Sequence, residues 1–293
     1  MLREDIHWMR RRGHSLPLVE PLSLALAALL SCSCGEASGH VLGGQQSNNP
    51  DEGPTDPLLL RVGICGKNSA QLELIDDMED GNASLIQTSG RSDAWFAFND
   101  ESDGGMQAPA DMGMLLFRMT KLEAPRGSSL SALRTYGSGF VKWGAGVGFD
   151  FVPKQRYDAS RYAGIAFWAR IGTAGGSSLE ARMNVNDRNT SPYGEVCDLD
   201  CQPDPPVAKA NRDDGVCDES RGPCFDDFGA NFGQTLSTEW QFFSYPWSVL
   251  KTANWSLKNL ESVVAEEIYG VRFQTAPSQS FDLWIDDVSF LCP

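Results

Sequence analysis

The chain has 293 residues, of which 41% are hydrophobic and 22% are charged, and its formal net charge at pH 7 is −15. This composition is typical of a protein with a packed core, and it disfavours a wholly disordered chain. The negative charge disfavours nonspecific binding to nucleic acid or to anionic lipid, so no nucleic-acid partner is expected.

The first 31 residues have the parts of an export signal. Arg10–Arg12 form a basic region, residues 22–30 form a short apolar run, and small residues follow. The apolar run is short for a membrane span. The sequence LLSC that ends at Cys32 resembles the lipobox of bacterial lipoproteins, which implies lipidation of Cys32, and Ser33 implies sorting to the outer membrane. A plain secretory signal that is cut nearby is the alternative.

Residues 32–57 are polar and rich in Gly, Pro, Asn and Gln. Such a composition is typical of a flexible linker, which would hold a domain clear of the lipid headgroups. We therefore expect an exported protein that is anchored by lipid to the outer membrane or the cell surface, with its folded domain at residues 58–293.

The folded domain consists of short apolar or alternating runs separated by Gly, Pro, Asn and Asp. Such a pattern predicts strands, and many short strands with turns between them favour a single two-sheet β-sandwich. The predicted strands are 72–76, 94–98, 133–137, 146–151, 164–171, 179–186, 240–245, 268–275 and 281–290.

Three predicted strands have one apolar face and one polar face. In GIAFWARI the alternation of a strand places Ile165 and Phe167 on one side and Trp168 on the other. RMNVN and VRFQT alternate in the same way. The side chains that we predict to form one ligand-binding surface are Trp168, Arg170, Arg182, Asn184, Asn186, Arg272 and Gln274.

The order of the motifs LIDDMEDG, GIAFWARI, RMNVND, IYGVRFQT and FDLWIDDVSFL resembles that of the family 11 carbohydrate-binding modules and of related galactose-binding-like domains. The resemblance covers about residues 72–291 and is interrupted by one insertion. It implies an all-β jelly-roll β-sandwich that binds polysaccharide. The sequence departs from the family at Thr275, where a tyrosine is usual, and at Trp168, where a small acid is usual, so specificity for glucan is not implied.

The resemblance also implies a structural calcium ion that ties the start of the first strand to the end of the last. Glu79 and Asp286 match the carboxylate positions of the family, and Asp77 and Asp287 stand beside them. Carboxylates within apolar strands are costly to bury alone, whereas calcium binds six to eight oxygens and removes that cost. The alternative is that these acids lie on a solvated face.

Eight cysteines are present, and an exported protein meets an oxidising compartment, so disulfides are expected. Cys65 precedes the first predicted strand and Cys292 follows the last. In a jelly roll whose first and last strands are close, these two cysteines are predicted to pair.

Four further cysteines lie in an acidic insertion at about residues 195–230. Four cysteines allow three pairings, and the sequence does not choose among them. A zinc site with four cysteine ligands is the alternative, although the C-x2-C spacing typical of zinc sites is absent. The four residues are Cys197, Cys201, Cys217 and Cys224.

Signals for catalysis are few. The three histidines, His7, His14 and His40, all precede the predicted strands, which excludes His-dependent catalysis in the folded domain. We therefore expect a monomeric, non-catalytic surface lipoprotein that binds glycan. The alternatives are a structural or protein-interaction module without a sugar site and a glycoside hydrolase that uses a carboxylate pair.

Overall fold

A computed structural model describes residues 60–110, 117–199, 201, 221–256 and 260–293. The predicted export signal, the linker, Cys32 and Cys217 lie outside these ranges. Within them, no helix has the length and hydrophobicity needed to cross a membrane. The helices in these ranges are single 3₁₀ turns at Pro192–Gly194, Gly233–Thr235, Trp247–Val249 and Ala265–Glu267.

The strands of the described ranges number twelve, and those predicted from the sequence are all present within a few residues of their expected bounds. They are β1 (Leu72–Asp76), β2 (Trp95–Asn99), β3 (Met106–Ala108), β4 (Thr120–Arg126), β5 (Ser129–Ser138), β6 (Ala145–Asp150), β7 (Gly164–Ile171), β8 (Ala181–Asp187), β9 (Phe228–Asn231), β10 (Gln241–Pro246), β11 (Ile268–Thr275) and β12 (Phe281–Leu291).

The strands form two antiparallel sheets. The seven-stranded sheet has the order β10-β7-β12-β5-β3, with β1 paired to β12 and β4 paired to β5, and the five-stranded sheet has the order β2-β6-β11-β8-β9. From β5 to β8, and again from β10 to β12, successive strands alternate between the two sheets. The prediction of an all-β jelly-roll β-sandwich is therefore confirmed.

Aromatic side chains fill the space between the sheets. Phe167 of β7 and Phe273 of β11 come from different sheets, and their ring centroids are 4.9 Å apart in an edge-to-face arrangement. Trp95 and Phe149 are also fully buried. Burying each such side chain contributes roughly 1.5–3 kcal/mol. Because these residues fix the inner face of each strand, they also decide which side chains point outward.

The two ends of the folded domain lie side by side. β1 pairs with β12, so that Leu72 lies opposite Leu291. The predicted Cys65–Cys292 disulfide is present, and it closes a loop across a sequence separation of 227 residues. Such a crosslink restricts the unfolded chain and stabilises the folded one.

The three cysteines of the insertion that the structure describes are also oxidised. Cys197 and Cys224 form a disulfide, and the backbone N–H of Asp198 donates to the carbonyl of Gly222 beside it. Cys201 is disulfide-bonded as well. The alternative of a four-cysteine zinc site is wrong, because Cys197 and Cys224 are bonded to each other rather than available as thiolates.

Candidate functional site: two outer sheet faces

The outer surface of the five-stranded sheet carries polar and aromatic side chains in cross-strand rows, and we call it the five-stranded face. The strand register sets the rows. One row contains Phe98, Gly146, Gln274, Arg182 and Asn231. The next row contains Phe96, Gly148, Arg272, Asn184 and Gly229. Arg182, Asn184, Arg272 and Gln274 therefore share one surface, as the alternation predicted.

Glycines in these rows let long side chains lie flat on the backbone. A Cβ on Gly148 would stand 2.4 Å from the Cδ atom of Arg272 and 2.6 Å from the carbonyl oxygen of Val271. A Cβ on Gly229 would stand 2.4 Å from the amide oxygen of Asn184. The rows thus depend on glycine for their flatness.

Both arginines of this face are engaged within the protein. Arg272 forms an ion pair with Asp150, donates to the carbonyl of Phe149 at 2.5 Å and lies 4.7 Å from the ring centroid of Phe96. Arg182 donates to the side-chain oxygen of Asn184 at 2.8 Å and also bonds a backbone carbonyl, and burial lowers its pKa. The N–H groups of the two arginines therefore stabilise the surface itself and are not free to bind a ligand.

Two of the predicted ligand-binding residues are nearly buried. Asn184 is 7% exposed and Asn186 is 4% exposed, and the side-chain oxygen of Asn186 has no hydrogen-bond partner. Asp227 precedes β9 and also has a buried oxygen without a partner. Burial raises the pKa of Asp227 to about 6, against the lowering influence of Thr190 and Arg272.

An open depression of about 280 Å³ lies where this face meets the loops at one end of the sheet. Its most prominent wall is Trp143, which is 45% exposed. The indole stacks against Phe98 at a centroid distance of 6.1 Å, and the side-chain N–H of Gln274 donates to the Trp143 carbonyl at 2.9 Å. The indole is therefore held in place while one side remains open.

Polar side chains with free ends surround Trp143. Glu180, Asn231 and Gln234 line the depression and are exposed, and their side-chain groups make no hydrogen bond to any described residue. The sequence analysis missed these three residues and Trp143, because they lie in loops or at strand ends. The signal that the sequence offered was a tryptophan directly before the glycine-rich segment GAGVG.

Trp168 and Arg170 lie on the other side of the molecule, and this corrects the prediction of a single surface. Their strand, β7, lies between β10 and β12 in the seven-stranded sheet. Both side chains point away from the core, opposite to Phe167, as alternation requires. Alternation decides the face of a strand but not the sheet to which the strand belongs.

The outer surface of the seven-stranded sheet alternates arginine and aromatic side chains, and we call it the seven-stranded face. Arg126 lies over Trp168 and Trp240 at 4.7 and 5.6 Å, and Arg170 lies over Trp240 and Trp284 at 5.2 and 4.5 Å. Arg134 extends this alternating row, since it lies 4.9 Å from the ring centroid of Trp284 and 4.7 Å from that of Tyr136.

The predicted calcium ligands meet at the edge of this face. The hydroxyl oxygen of Ser129 is 3.2 Å from Oε1 of Glu79 and 2.7 Å from Oδ2 of Asp286, so one hydroxyl links the two ends of the chain. The same Glu79 oxygen accepts the backbone N–H groups of Leu130 and Ser131 at 2.8 and 2.9 Å. Oδ1 of Asp77 accepts the backbone N–H of Glu79 at 3.2 Å.

A bulge in β12 brings two consecutive aspartates to one arginine. The register shifts between Asp286 and Ser289, and Asp287 has a φ of 46°, in the left-handed region. The Arg126 guanidinium donates to Asp286 at 2.8 Å and to Asp287 at 2.5 Å. Burial, followed by the charge of Asp287, still raises the pKa of Asp286 to about 6 although Arg126 lowers it.

The chemistry of this cluster suits a hard divalent cation, because its ligating atoms are all oxygens. Two of the four carboxylates, those of Asp286 and Asp287, bond to Arg126, so their combined negative charge exceeds the single positive charge of the guanidinium. In the part of the chain that is described, no group of three or more His, Cys, Asp or Glu side chains is arranged to hold a metal ion. Arg126 and Ser129 link the carboxylates in this arrangement, and calcium stays a prediction.

Comparison with known proteins gives matches only among solved structures. No protein-family model matches the sequence, and no curated protein matches it. The chain is similar to the family 11 carbohydrate-binding module of the cellulosomal cellulase Lic26A-Cel5E of Clostridium thermocellum, with 12% identity and a TM-score of 0.43 over 76% of this chain and 95% of that chain.

Two further structures have similar values. The CBM22-2 xylan-binding domain of Xyn10C from Paenibacillus barcinonensis is 14% identical, with a TM-score of 0.33 over 74% of this chain and 97% of that chain. The K1 cleaved adhesin domain of Lys-gingipain from Porphyromonas gingivalis W83 is 12% identical, with a TM-score of 0.37 over 74% and 96%. At these values the likeness carries no inference about a ligand, and the fold assignment rests on the two sheets themselves.

Proposed function

We propose that this protein is a non-catalytic glycan-binding protein whose sugar site is the depression on the five-stranded face. The observation that carries the proposal is an exposed indole, Trp143, fixed beside three polar side chains with free ends. A sugar ring has an apolar face that stacks on an indole and hydroxyl groups that bond to amides and carboxylates. Asn231, Gln234 and Glu180 offer both donors and acceptors for those hydroxyls.

The charges of the face favour a neutral glycan. Arg272 is paired with Asp150, and Arg182 is bonded to Asn184 and to the backbone, so neither guanidinium is free to bind an anion. Glu180 at the rim repels anions and accepts hydroxyl protons. We therefore infer that the ligand of this depression is an uncharged oligosaccharide.

A glycan array probed with the full-length chain tests the proposal. We expect binding to neutral oligosaccharides, and Trp143→Ala should lower the affinity for them at least tenfold because the stacking surface is removed. The matched control is Arg170→Gln, which alters the opposite face and should leave this affinity unchanged. An array without any bound neutral glycan contradicts the proposal and favours a structural or protein-interaction module instead.

The absence of catalysis is a separate part of the proposal. The free polar groups of the depression suit hydrogen bonding to hydroxyls, and they include one carboxylate, Glu180, whereas carboxylate-based glycoside hydrolysis uses a pair. Incubation with chromogenic glycosides should release no product above that of Glu180→Gln. Turnover that is lost in this variant would support the hydrolase alternative.

We also propose export and lipid anchoring through Cys32, which is supported by the basic region, the apolar run and the LLSC sequence of the N-terminus. Expression in a bacterial host with labelled palmitate should give a labelled protein in the outer-membrane fraction. Cys32→Ser should abolish the label and release the chain. An unlabelled wild-type protein would favour a plain secretory signal.

A structural calcium ion is proposed at the chain ends, where Glu79, Asp77, Asp286 and Asp287 would hold it. Support comes from the oxygen-only set of side chains, the link through Ser129 and the negative charge that exceeds that of Arg126. Addition of calcium to chelator-treated protein should raise the melting temperature in wild type but not in Glu79→Gln. A melting temperature that calcium does not change in wild type would exclude the ion.

A further inference from the structure

Arg170 differs from the other two arginines of the seven-stranded face in lacking a carboxylate partner. Arg126 pairs with Asp286 and Asp287, and Arg134 pairs with Asp282 through two bonds of 2.8 Å. Arg170 makes no hydrogen bond or ion pair to any residue that the structure describes, and its Nε atom is buried without an acceptor. Burial accordingly lowers the pKa of Arg170.

The position of the Arg170 guanidinium is nevertheless fixed. It lies between the indoles of Trp240 and Trp284, at 5.2 and 4.5 Å from their ring centroids. Trp284 is 6% exposed, and its indole N–H also has no acceptor. Cation–π contacts hold the guanidinium in place, but the indole rings do not accept hydrogen bonds from its N–H groups. These N–H groups therefore remain available as donors.

We propose that the seven-stranded face is a second ligand site, which binds a saccharide carrying a carboxylate or sulfate group. Arg170 binds the anionic group through its free N–H donors. Trp240 and Trp168, both half-buried, provide apolar contact for the sugar ring beside the guanidinium groups that lie over them. The site is independent of the depression on the five-stranded face, because it lies on the opposite sheet.

The surrounding acids define the kind of anion that fits. Asp282, which is bonded to Arg134, and the exposed Glu123 and Glu239 act on the charge of Arg170 without bonding to it. Together with the net charge of −15, they oppose a dense polyanion such as nucleic acid. A sugar with one acidic group and several hydroxyls avoids this repulsion, since the hydroxyls can donate to the two glutamates.

Titration of the full-length chain with a disaccharide that carries a single glucuronate, and with its methyl ester, tests the site directly. The ester keeps the sugar rings and removes the charge. We expect the acid to bind at least tenfold more tightly than the ester, because a charge-assisted bond to an arginine is lost with esterification. A parallel titration with a sulfated oligosaccharide shows whether the site binds a sulfate group instead of a carboxylate.

The variants assign the binding to Arg170. Arg170→Gln should lower the affinity for the acidic sugar at least tenfold, and Arg170→Lys should lower it less because the charge remains without the planar fork. Trp143→Ala should not change it. If Arg170→Gln does not fold, two other results test the proposal. They are the difference in affinity between the acid and its ester in wild type, and the affinity of Arg170→Lys for the acid.

Three outcomes overturn the proposal. They are equal binding of acid and ester, an affinity that Arg170→Gln leaves unchanged, and no binding of either uronate or sulfated sugar. Tight binding of the sulfated sugar alone supports the site and names sulfate as its anion. None of these results depends on whether the depression at Trp143 binds neutral glycan.

Discussion

The two outer faces of the sandwich both carry arginines and aromatic rings, yet they use them differently. On the five-stranded face, Arg182 and Arg272 are bonded to their neighbours and lie flat over glycines. On the seven-stranded face the arginines lie between aromatic rings, and Arg170 has N–H donors without an acceptor. We propose that the first face binds a ligand through the free amides around Trp143 and that the second binds one through the unpaired guanidinium of Arg170.

The difference shows that residue type alone does not assign a ligand. The same guanidinium group is a structural crosslink when a carboxylate or carbonyl accepts its protons, and it is a recognition group when none does. An arginine whose N–H groups are all bonded within the protein therefore favours a surface for a neutral glycan, whereas an arginine without an acceptor favours a surface for an anion.

Arg126→Gln should have the largest effect on stability. The substitution leaves Asp286, which is fully buried, without its guanidinium, and breaking a buried ion pair costs about 3 kcal/mol. Arg170→Gln is the matched control, and it should cost about 1–2 kcal/mol because only cation–π contacts are lost. Urea denaturation in chelator measures both. Similar losses in the two variants would contradict the distinction between paired and unpaired arginines.

Gly148→Ala should destabilise the five-stranded face by about 2 kcal/mol. The added Cβ meets both the backbone of Val271 and the side chain of Arg272 at distances that require the strand or the side chain to shift. Gly176→Ala is the control, since a Cβ there finds its nearest atom at 3.5 Å. Thermal unfolding compares them. A Gly148→Ala chain as stable as Gly176→Ala would mean that the glycines do not shape this face.

Asp227 should make stability depend on pH. Its folded-state pKa is raised to about 6, above the unfolded value near 4, so its stabilising effect is full below about pH 4 and is lost as the pH rises through 6. Between about pH 4 and 7, the unfolding free energy should fall by about 1–3 kcal/mol less in Asp227→Asn than in wild type. An unchanged pH profile in Asp227→Asn would show that this carboxyl is not shifted.

Much of the fold could be predicted because its signals are local. The alternation in GIAFWARI and VRFQT predicted the inner and outer faces of β7 and β11 correctly. The resemblance to the family implied that the first and last strands are close, so Cys65 and Cys292 could be predicted to pair. The assignment of strands to sheets could not be predicted, since it depends on pairing between distant segments. This is why Trp168 and Arg182 were expected on one surface.

The sites themselves needed long-range geometry. Arg126 reaches Asp286 across 160 residues of sequence from a hairpin, and a bulge at Asp287 makes both aspartates accessible to it. Trp143 and its polar neighbours come from loops and strand ends that meet only in the folded sandwich. Hydrophobic periodicity predicts strands, but it does not predict which loops and strand ends contact one another in the folded protein.

A competition titration tests most directly the central claim that the two faces are separate binding surfaces. The full-length chain is saturated with the neutral oligosaccharide that binds best on the array and is then titrated calorimetrically with the acidic sugar. The account predicts an affinity and a stoichiometry for the acidic sugar equal to those without the neutral one. Displacement of one sugar by the other would contradict it.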